Sequence, residues 1–291
     1  MSDFRLKVFQ SVAKNLSFTK ASQELFVSQP AITKHIQELE ATYQTRLFDR
    51  QGSKISLTES GRLLLEHCER ILEDYKRLEY EMHLLHNEYI GELKLGASTT
   101  IAQYVLPPLL GSFIGKFPQV NLSLLNGNSR EIEAALQEHR IDLGLVRLPN
   151  LKYTTFLEDE LVAVVHSKSR LQLPEEITPQ DLPAIPLVLR ERGSGTLDVI
   201  ERSLQKHGVK LSSLHVLMYL GSTESIKLFL ENSDCMGIVS IRSICKELAA
   251  GTFRVVEIKD MPMLRDFCFV QLQGQEGGLS QAFMNYMFMS R

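Results

Sequence analysis

Phe18-Thr19-Lys20-Ala21-Ser22-Gln23-Glu24-Leu25, closed by Phe26-Val27 and followed by Ser28-Gln29-Pro30-Ala31-Ile32-Thr33, is the stretch on which the fold of this chain turns. Thr19 suits an N-cap, with Ala21, Ser22 and Leu25 behind it, so a short helix is expected there. Ser28 suits another N-cap, and Pro30 is tolerated because first-turn amides have no intrahelical partner. The helix opened by Ser28 carries Ala31, Ile32, Ile36 and Leu39 on one face. That leaves Gln29, Thr33, Lys34 and Gln37 on others. Upstream, Phe4, Leu6, Phe9, Val12 and Ala13 lie near helical spacing and predict one more helix.

Two short helices joined by a tight turn, the second offering short polar side chains at its start, match the shape that enters a DNA major groove. Gln29 and Thr33 lie one turn apart, within reach of base edges, whereas Lys34, Arg50 and Lys54 suit phosphates. On helix spacing alone, a small helical unit with merely solvated polar residues has equal standing. The series continues, however, through Leu39-Glu40, Leu47-Phe48-Asp49-Arg50 and Leu57-Thr58-Glu59-Ser60-Gly61. The whole ordered set closely resembles the DNA-binding domain of LysR-type transcription regulators, whose wing is delimited by Leu-Phe-x-Arg and Leu-Thr-x-x-Gly elements. The resemblance implies Thr19, Ser28, Gln29, Pro30, Thr33, Lys34, Arg50 and Lys54 as contacts to double-stranded DNA. Three positions depart from the pattern: Ser22 for a second alanine, Thr33 for serine, and Gln44 for glycine. A left-handed residue there costs a non-glycine about 1 kcal/mol, so a different helix end is expected at Gln44.

Thr58 can cap a further helix, Glu59 sits favourably in its first turn, and no proline interrupts residues 59 to 89. Leu64, Cys68, Ile71, Tyr75, Leu78, Met82, Leu85 and Tyr89 alternate by four and three, the seam of a two-stranded coiled coil. A homodimer through this linker helix is expected, the alternative being that the stripe packs on the chain's own C-terminal part. A two-fold dimer would require a palindromic site with half-sites about 34 Å apart. The family resemblance implies the same dimer, usually within a homotetramer.

Composition sets the frame for both parts. The 291 residues suggest two unequal units, and 44% hydrophobic with 23% charged residues is the balance of a soluble globular protein. No apolar run approaches the roughly 20 residues of a membrane span, and Met1-Ser2-Asp3-Phe4 does not open a basic leader, so a cytoplasmic protein is expected. Cys68, Cys235, Cys245 and Cys268 show no metal spacing, which argues against structural zinc and disulfides. Residues 1 to 60 hold eight Lys/Arg against six Asp/Glu while the whole chain is −3, an asymmetry too small to identify a partner.

Beyond the linker the pattern is strand (Glu92 to Gly96), helix (Ile101 to Phe117), strand (Val120 to Leu125), helix (Ile132 to His139) and strand (Ile141 to Val146). Further strands fall near Glu160 to Val165, Pro186 to Leu189, His215 to Tyr219, Met236 to Ser240, Arg254 to Ile258 and Asp266 to Gln271, which indicates parallel-rich α/β sheets. Such sheets bind ligands beyond their strand ends, where helix N-termini offer free amides. Hydroxyl-rich turns stand at those places: Ser98-Thr99-Thr100, Asn126 to Ser129, Gly193-Ser194-Gly195-Thr196 and Gly221-Ser222-Thr223. Any one of them could be simple capping; four together suggest a site. Arg147, Arg190 and Arg192 near strand ends favour a small anionic or polar effector.

This part also resembles the LysR effector domain, two α/β subdomains like those of periplasmic solute-binding proteins with ligand in the cleft. The candidates are Ser98, Thr99, Thr100, Asn128, Arg147, Ser194, Gly195, Thr196 and Thr223. Since some relatives sense peroxide through a disulfide, Cys235 and Cys245 admit a redox alternative, and a solute-binding module without DNA is another. No Gly-x-Ser-x-Gly, HExxH or Walker loop is present, so neither catalysis nor a cofactor is expected. The expected fold is an all-α winged helix-turn-helix domain (residues 1–58) and a long linker helix (59–90) joined to an α/β effector domain (91–291). Its subdomain I would comprise 91–162 and 267–291, and subdomain II 163–266. Effector binding would close the subdomains and alter how dimers space or bend DNA.

Overall fold

A computed structural model describes residues 4–51, 54–84, 89–146, 152–272 and 278–290. The chain forms two compact units, Met1–Glu88 and Tyr89–Arg291.

The first unit contains α1 (Phe4–Asn15), α2 (Phe18–Glu24), α3 (Gln29–Tyr43), a hairpin of β1 (Phe48–Gln51) and β2 (Lys54–Leu57), and α4 (Glu59–Leu84). Val8, Phe9 and Val12 of α1 meet Ile32, Ile36 and Leu39 of α3 in one buried core. Ser17 rather than Thr19 caps α2, accepting the Lys20 amide at 3.2 Å. Leu16 is left-handed (φ 44) and turns the chain early, so Thr19 falls inside the first turn. Ser28 caps α3 through the Ala31 amide at 3.4 Å. Gln44 does adopt the left-handed conformation (φ 52, ψ 36), so α3 ends as a glycine would end it and the expected different ending does not occur.

The Leu-Thr-x-x-Gly element has a local explanation. Thr58 Oγ1 donates to the Arg46 carbonyl at 2.7 Å and accepts the Gly61 amide at 2.9 Å, tying the wing to the start of α4. A Cβ on Gly61 would lie 2.1 Å from the Leu47 carbonyl oxygen.

The 26-residue α4 extends about 39 Å. Its expected seam is only partly free. Cys68 is buried in the core of the first unit, Leu64 packs against that core, and Cys68 Sγ donates to the Leu6 carbonyl at 3.3 Å. Burial pushes the Cys68 thiol up to about 12. Leu85 lies outside the described residues, and Tyr89 belongs to the second unit, where its ring packs tilted against Phe117 with centres 4.5 Å apart. What remains exposed is Ile71, Leu78 and Met82, with Tyr75 half-buried. Three short helices enclose too little apolar surface alone, so the first turns of α4 complete the core.

The second unit runs β3 (Gly91–Ser98), α5 (Leu106–Lys116), β4 (Val120–Gly127), α6 (Ser129–Gln137), β5 (Leu143–Val146), β6 (Lys152–His166), β7 (Glu176–Ile177), β8 (Leu187–Arg190), α7 (Gly195–Lys206), β9 (Val216–Leu220), α8 (Thr223–Glu231), β10 (Met236–Ser240), α9 (Cys245–Ala249), β11 (Phe253–Ile258), β12 (Met263–Gln271) and α10 (Gly278–Met289). The helix expected over 101–117 opens instead as a π-helical turn, Ile101–Val105, ahead of Pro107 and Pro108, which lack amide donors.

The main sheet path is β4-β3-β5-β12-β6-β10-β8-β9. β3 is parallel to β4 and β5, and β8 to β9 and β10, giving a parallel half at each side. Between them β6 and β12 run antiparallel, from Met263 opposite Leu161 to Gln271 opposite Lys152, with a register shift between Phe267 and Cys268. β6 then continues alongside β10 and β11, so this one strand serves both halves.

Candidate functional site

In the first unit, Ser28, Gln29, Pro30 and Lys34 are exposed around the N-terminal end of α3, and Thr19 is exposed on α2. Thr33 is half-buried and donates its hydroxyl to the Gln29 carbonyl at 3.1 Å. Arg50 and Lys54 belong to the hairpin strands, but their side chains lie outside the described residues.

In the second unit the loops after β3, β4 and β8 converge. A small chamber of about 20 Å³ is lined by Ser98, Thr99, Thr100, Asn128, Ser129, Arg190, Ser194, Gly195, Thr196 and Arg265. It shares Ser98, Ser129, Gly195 and Arg265 with a wider cleft of about 480 Å³, which α7 lines with Asp198, Glu201, Arg202 and Gln205 and β12 with Asp266, Phe267 and Cys268. Seven of the nine expected effector residues therefore meet around one chamber. Thr223 is buried at the start of α8 away from its lining, and Arg147 lies outside the described residues.

Two of the three loops are held by caps. Asn128 and Glu131 form a reciprocal capping box on α6, and Ser194 caps α7 through the Thr196 amide. Both helices start at the chamber, so their unpaired first-turn amides favour an anion there.

Arg265 and Asp159 were not read as site residues from the sequence, yet Arg265 lines the chamber and Asp159 holds it from behind. They lie opposite one another on β12 and β6, both buried, with Arg265 Nη2 2.7 Å and Nε 2.8 Å from Asp159 Oδ2. Ser240 donates to the other carboxylate oxygen at 2.6 Å. The far side of the guanidinium reaches both walls, Nη1 to Thr196 Oγ1 at 3.0 Å and Nη2 to Thr100 Oγ1 at 3.3 Å. Burial lowers the Arg265 pKa, and the facing Asp159 opposes that shift. The available signal was strand parity: Arg265 shares its face with Met263 and Phe267, where an unpaired charge would be costly.

Arg190, at the end of β8, forms a parallel arrangement. Its side chain reaches Glu191 Oε2 at 2.8 Å, Thr99 Oγ1 at 3.4 Å and the Gly221 carbonyl at 3.3 Å. Both guanidiniums line the chamber while their carboxylate partners do not, so the lining is electropositive.

A further bond joins the two halves of the second unit. The Tyr104 hydroxyl, on the π-helical turn, donates to the Glu224 carboxylate at the start of α8. Lys227 lies 2.8 Å from Glu224, 2.7 Å from Glu247 and 5.4 Å from the Tyr104 ring centre. Burial, then the Glu224 bond, pushes the Tyr104 phenol far above its ordinary value, keeping it a donor. Burial alone would raise the Glu224 pKa, but its bonds to Lys227 and Tyr104 hold it below the usual value.

Among the described residues no group of three or more His, Cys, Asp or Glu is arranged to hold a metal, and no helix is long and apolar enough to cross a membrane.

Comparison with known proteins matches both units. The profile for the bacterial regulatory helix-turn-helix protein, lysR family, covers residues 4–62, and that for the LysR substrate binding domain covers residues 86–288. A RuBisCO operon transcriptional regulator of Acidithiobacillus ferrooxidans is 30% identical over 289 residues, spanning 98% of this chain and 92% of that protein. The regulatory domain of CcmR from Synechocystis PCC6803, solved in complex with 2-PG, is 28% identical with a TM-score of 0.62, covering 69% of this chain and 97% of that one. Full-length CbnR complexed with its target DNA shares the fold over 100% of this chain and 99% of that one, at 22% identity and a TM-score of 0.61. With a family profile over more than half its length and a relative of this identity along nearly all of it, the chain belongs to the LysR family of transcriptional regulators.

Proposed function

We propose that this regulator binds interrupted palindromic DNA sites through the N-terminal end of α3, and that a small anionic effector in the chamber and cleft of the second unit modulates the binding. The carrying observation is the convergence of Ser98, Thr100, Ser129, Ser194 and Thr196 with two guanidiniums and two helix N-termini on one chamber. At about 20 Å³ the chamber has room for one oxygen-sized group. The effector would place a carboxylate or phosphate oxygen there and lay its body in the cleft of about 480 Å³. A ligand touching both walls favours their closed arrangement, and linkage then requires DNA and effector to alter each other's affinity.

Gln29 and Thr33 supply base contacts in this reading, with Thr19, Ser28, Pro30, Lys34, Arg50 and Lys54 positioning the helix on the backbone. Ile71 and Leu78, seven residues apart and exposed with Met82, would seal α4 against a second copy. A redox switch through Cys235 and Cys245 is less well supported: Cys235 is fully buried and burial raises its thiol, the opposite of an activated thiolate.

The test is titration of genomic fragments, including the gene's upstream region, at two salt concentrations, beside a Gln29→Ala/Thr33→Ala variant. The wild type should protect a palindrome and the variant retain only weak, salt-sensitive binding. Calorimetric titration with 2-PG and simple dicarboxylates tests the cleft; a ligand whose binding survives Thr100→Val and Thr196→Val intact would place the effector elsewhere.

A further inference from the structure

Phe26 joins α2 to α3 in a way the fold alone does not reward. The Phe26 amide donates to the Gln23 carbonyl at 3.4 Å and the Val27 amide to the Ser22 carbonyl at 3.1 Å, the paired bonds of a Schellman cap. The residue between them must be left-handed, and Phe26 is, at φ 55. Glycine is the ordinary occupant, because a side chain in this conformation adds strain. Covering the ring could offset that strain, yet Phe26 is 94% exposed, while its neighbours Leu25 and Val27 pack on the core. Leu16, the other left-handed apolar residue among the described residues of this unit, is 47% exposed.

The position of the ring supplies a use. It stands two residues before the Ser28 cap and three before Gln29, bordering the end of α3 that the DNA reading sends into the groove. The exposed residues that flank it in the chain are polar: Gln23, Glu24, Ser28 and Gln29. The apolar feature that a major groove offers is the thymine C5-methyl. We propose that Phe26 is a specificity-determining residue that packs against a thymine methyl at the edge of each half-site. This inference rests on the DNA reading and assigns it a contact outside the recognition helix.

The experiment uses full-length protein and a duplex carrying its mapped site, with thymines replaced one at a time by uracil, which removes only the methyl. Fluorescence anisotropy compares wild type, Phe26→Ala and Phe26→Gly. For the wild type, one substitution per half-site should weaken binding about fourfold, the worth of one buried methyl. Both variants lose the contact in each of the two half-sites, so they should bind the thymine duplex about sixteenfold more weakly and no longer distinguish uracil. Phe26→Gly should at the same time unfold at a higher temperature than wild type, so weaker binding cannot reflect lost structure. Variants that bind as tightly as wild type, or that still distinguish thymine from uracil by the full factor, would overturn the proposal. If the wild type shows no sequence-specific binding, the DNA reading falls and this inference with it, a result distinct from specific binding that is indifferent to residue 26.

Discussion

The N-terminal end of α3 and the cleft of the second unit are built on opposite principles. The first is convex: Ser28, Gln29, Pro30 and Lys34 project from a helix start whose core lies behind them. The second is concave and its charges are internal, Arg265 and Asp159 being buried and bonded to each other and to hydroxyls on both walls. In the proposed reading, recognition and stability are carried by different atoms at the convex site and by the same atoms in the cleft.

The strongest test of that contrast is Asp159→Ala, which strands a buried guanidinium. It should cost about 3–5 kcal/mol of stability, whereas Gln29→Ala should change stability by less than about 0.5 kcal/mol. Urea unfolding of both variants reads the difference, and near-equal losses would break the comparison. Gly61→Ala sharpens it from the other side. A Cβ 2.1 Å from the Leu47 carbonyl must displace the wing from α4, a strain of about 1–3 kcal/mol. Thermal unfolding should show the loss in the first unit while effector affinity is unchanged.

A smaller effect is expected at the Tyr104 bond. Tyr104→Phe removes one hydrogen bond between the two halves of the second unit, about 1 kcal/mol, and should speed effector dissociation in stopped-flow measurements without altering DNA contacts. The pH dependence has a definite sign. Because the folded-state pKa of Glu224 is depressed, its stabilisation is in place above the ordinary value of 4.5 and is lost as the pH falls below it. The stability gap between wild type and Glu224→Gln should therefore hold from pH 7 to 5 and shrink toward pH 3; a gap that grows on acidification would contradict the assignment. Least conspicuous is the thiol pattern. Iodoacetamide at pH 8 should label exposed Cys245 and spare Cys68, whose buried thiol sits at about 12.

The same contrast explains what was legible in the chain. The helix-turn-helix could be read because it is local: caps, a 3.6-residue period and turn residues all fall within one short stretch. Its errors were local too, the cap moving from Thr19 to Ser17 and Leu64 and Cys68 turning into the core of their own unit. The hydroxyl-rich loops after β3, β4 and β8 were legible because helix starts demand such residues. The Arg265–Asp159 pair was not, since its partners are 106 residues apart and meet only through the antiparallel register of β6 and β12. Parity could flag each as a charge among apolar neighbours, but it could not pair them.

The continuity of β6 gives the second unit an unusual mechanical character. Two halves joined by flexible loops would swing like a door, with little resistance until the walls met. Here the connection is a pair of hydrogen-bonded strands, so any movement of the halves would bend the ladder, as leaves on a spring bend it. The irregularity between Phe267 and Cys268, beside the cleft, is the natural point for the spring to flex. An effector that bridged the two walls, as proposed above, would then work against a restoring force carried by the sheet.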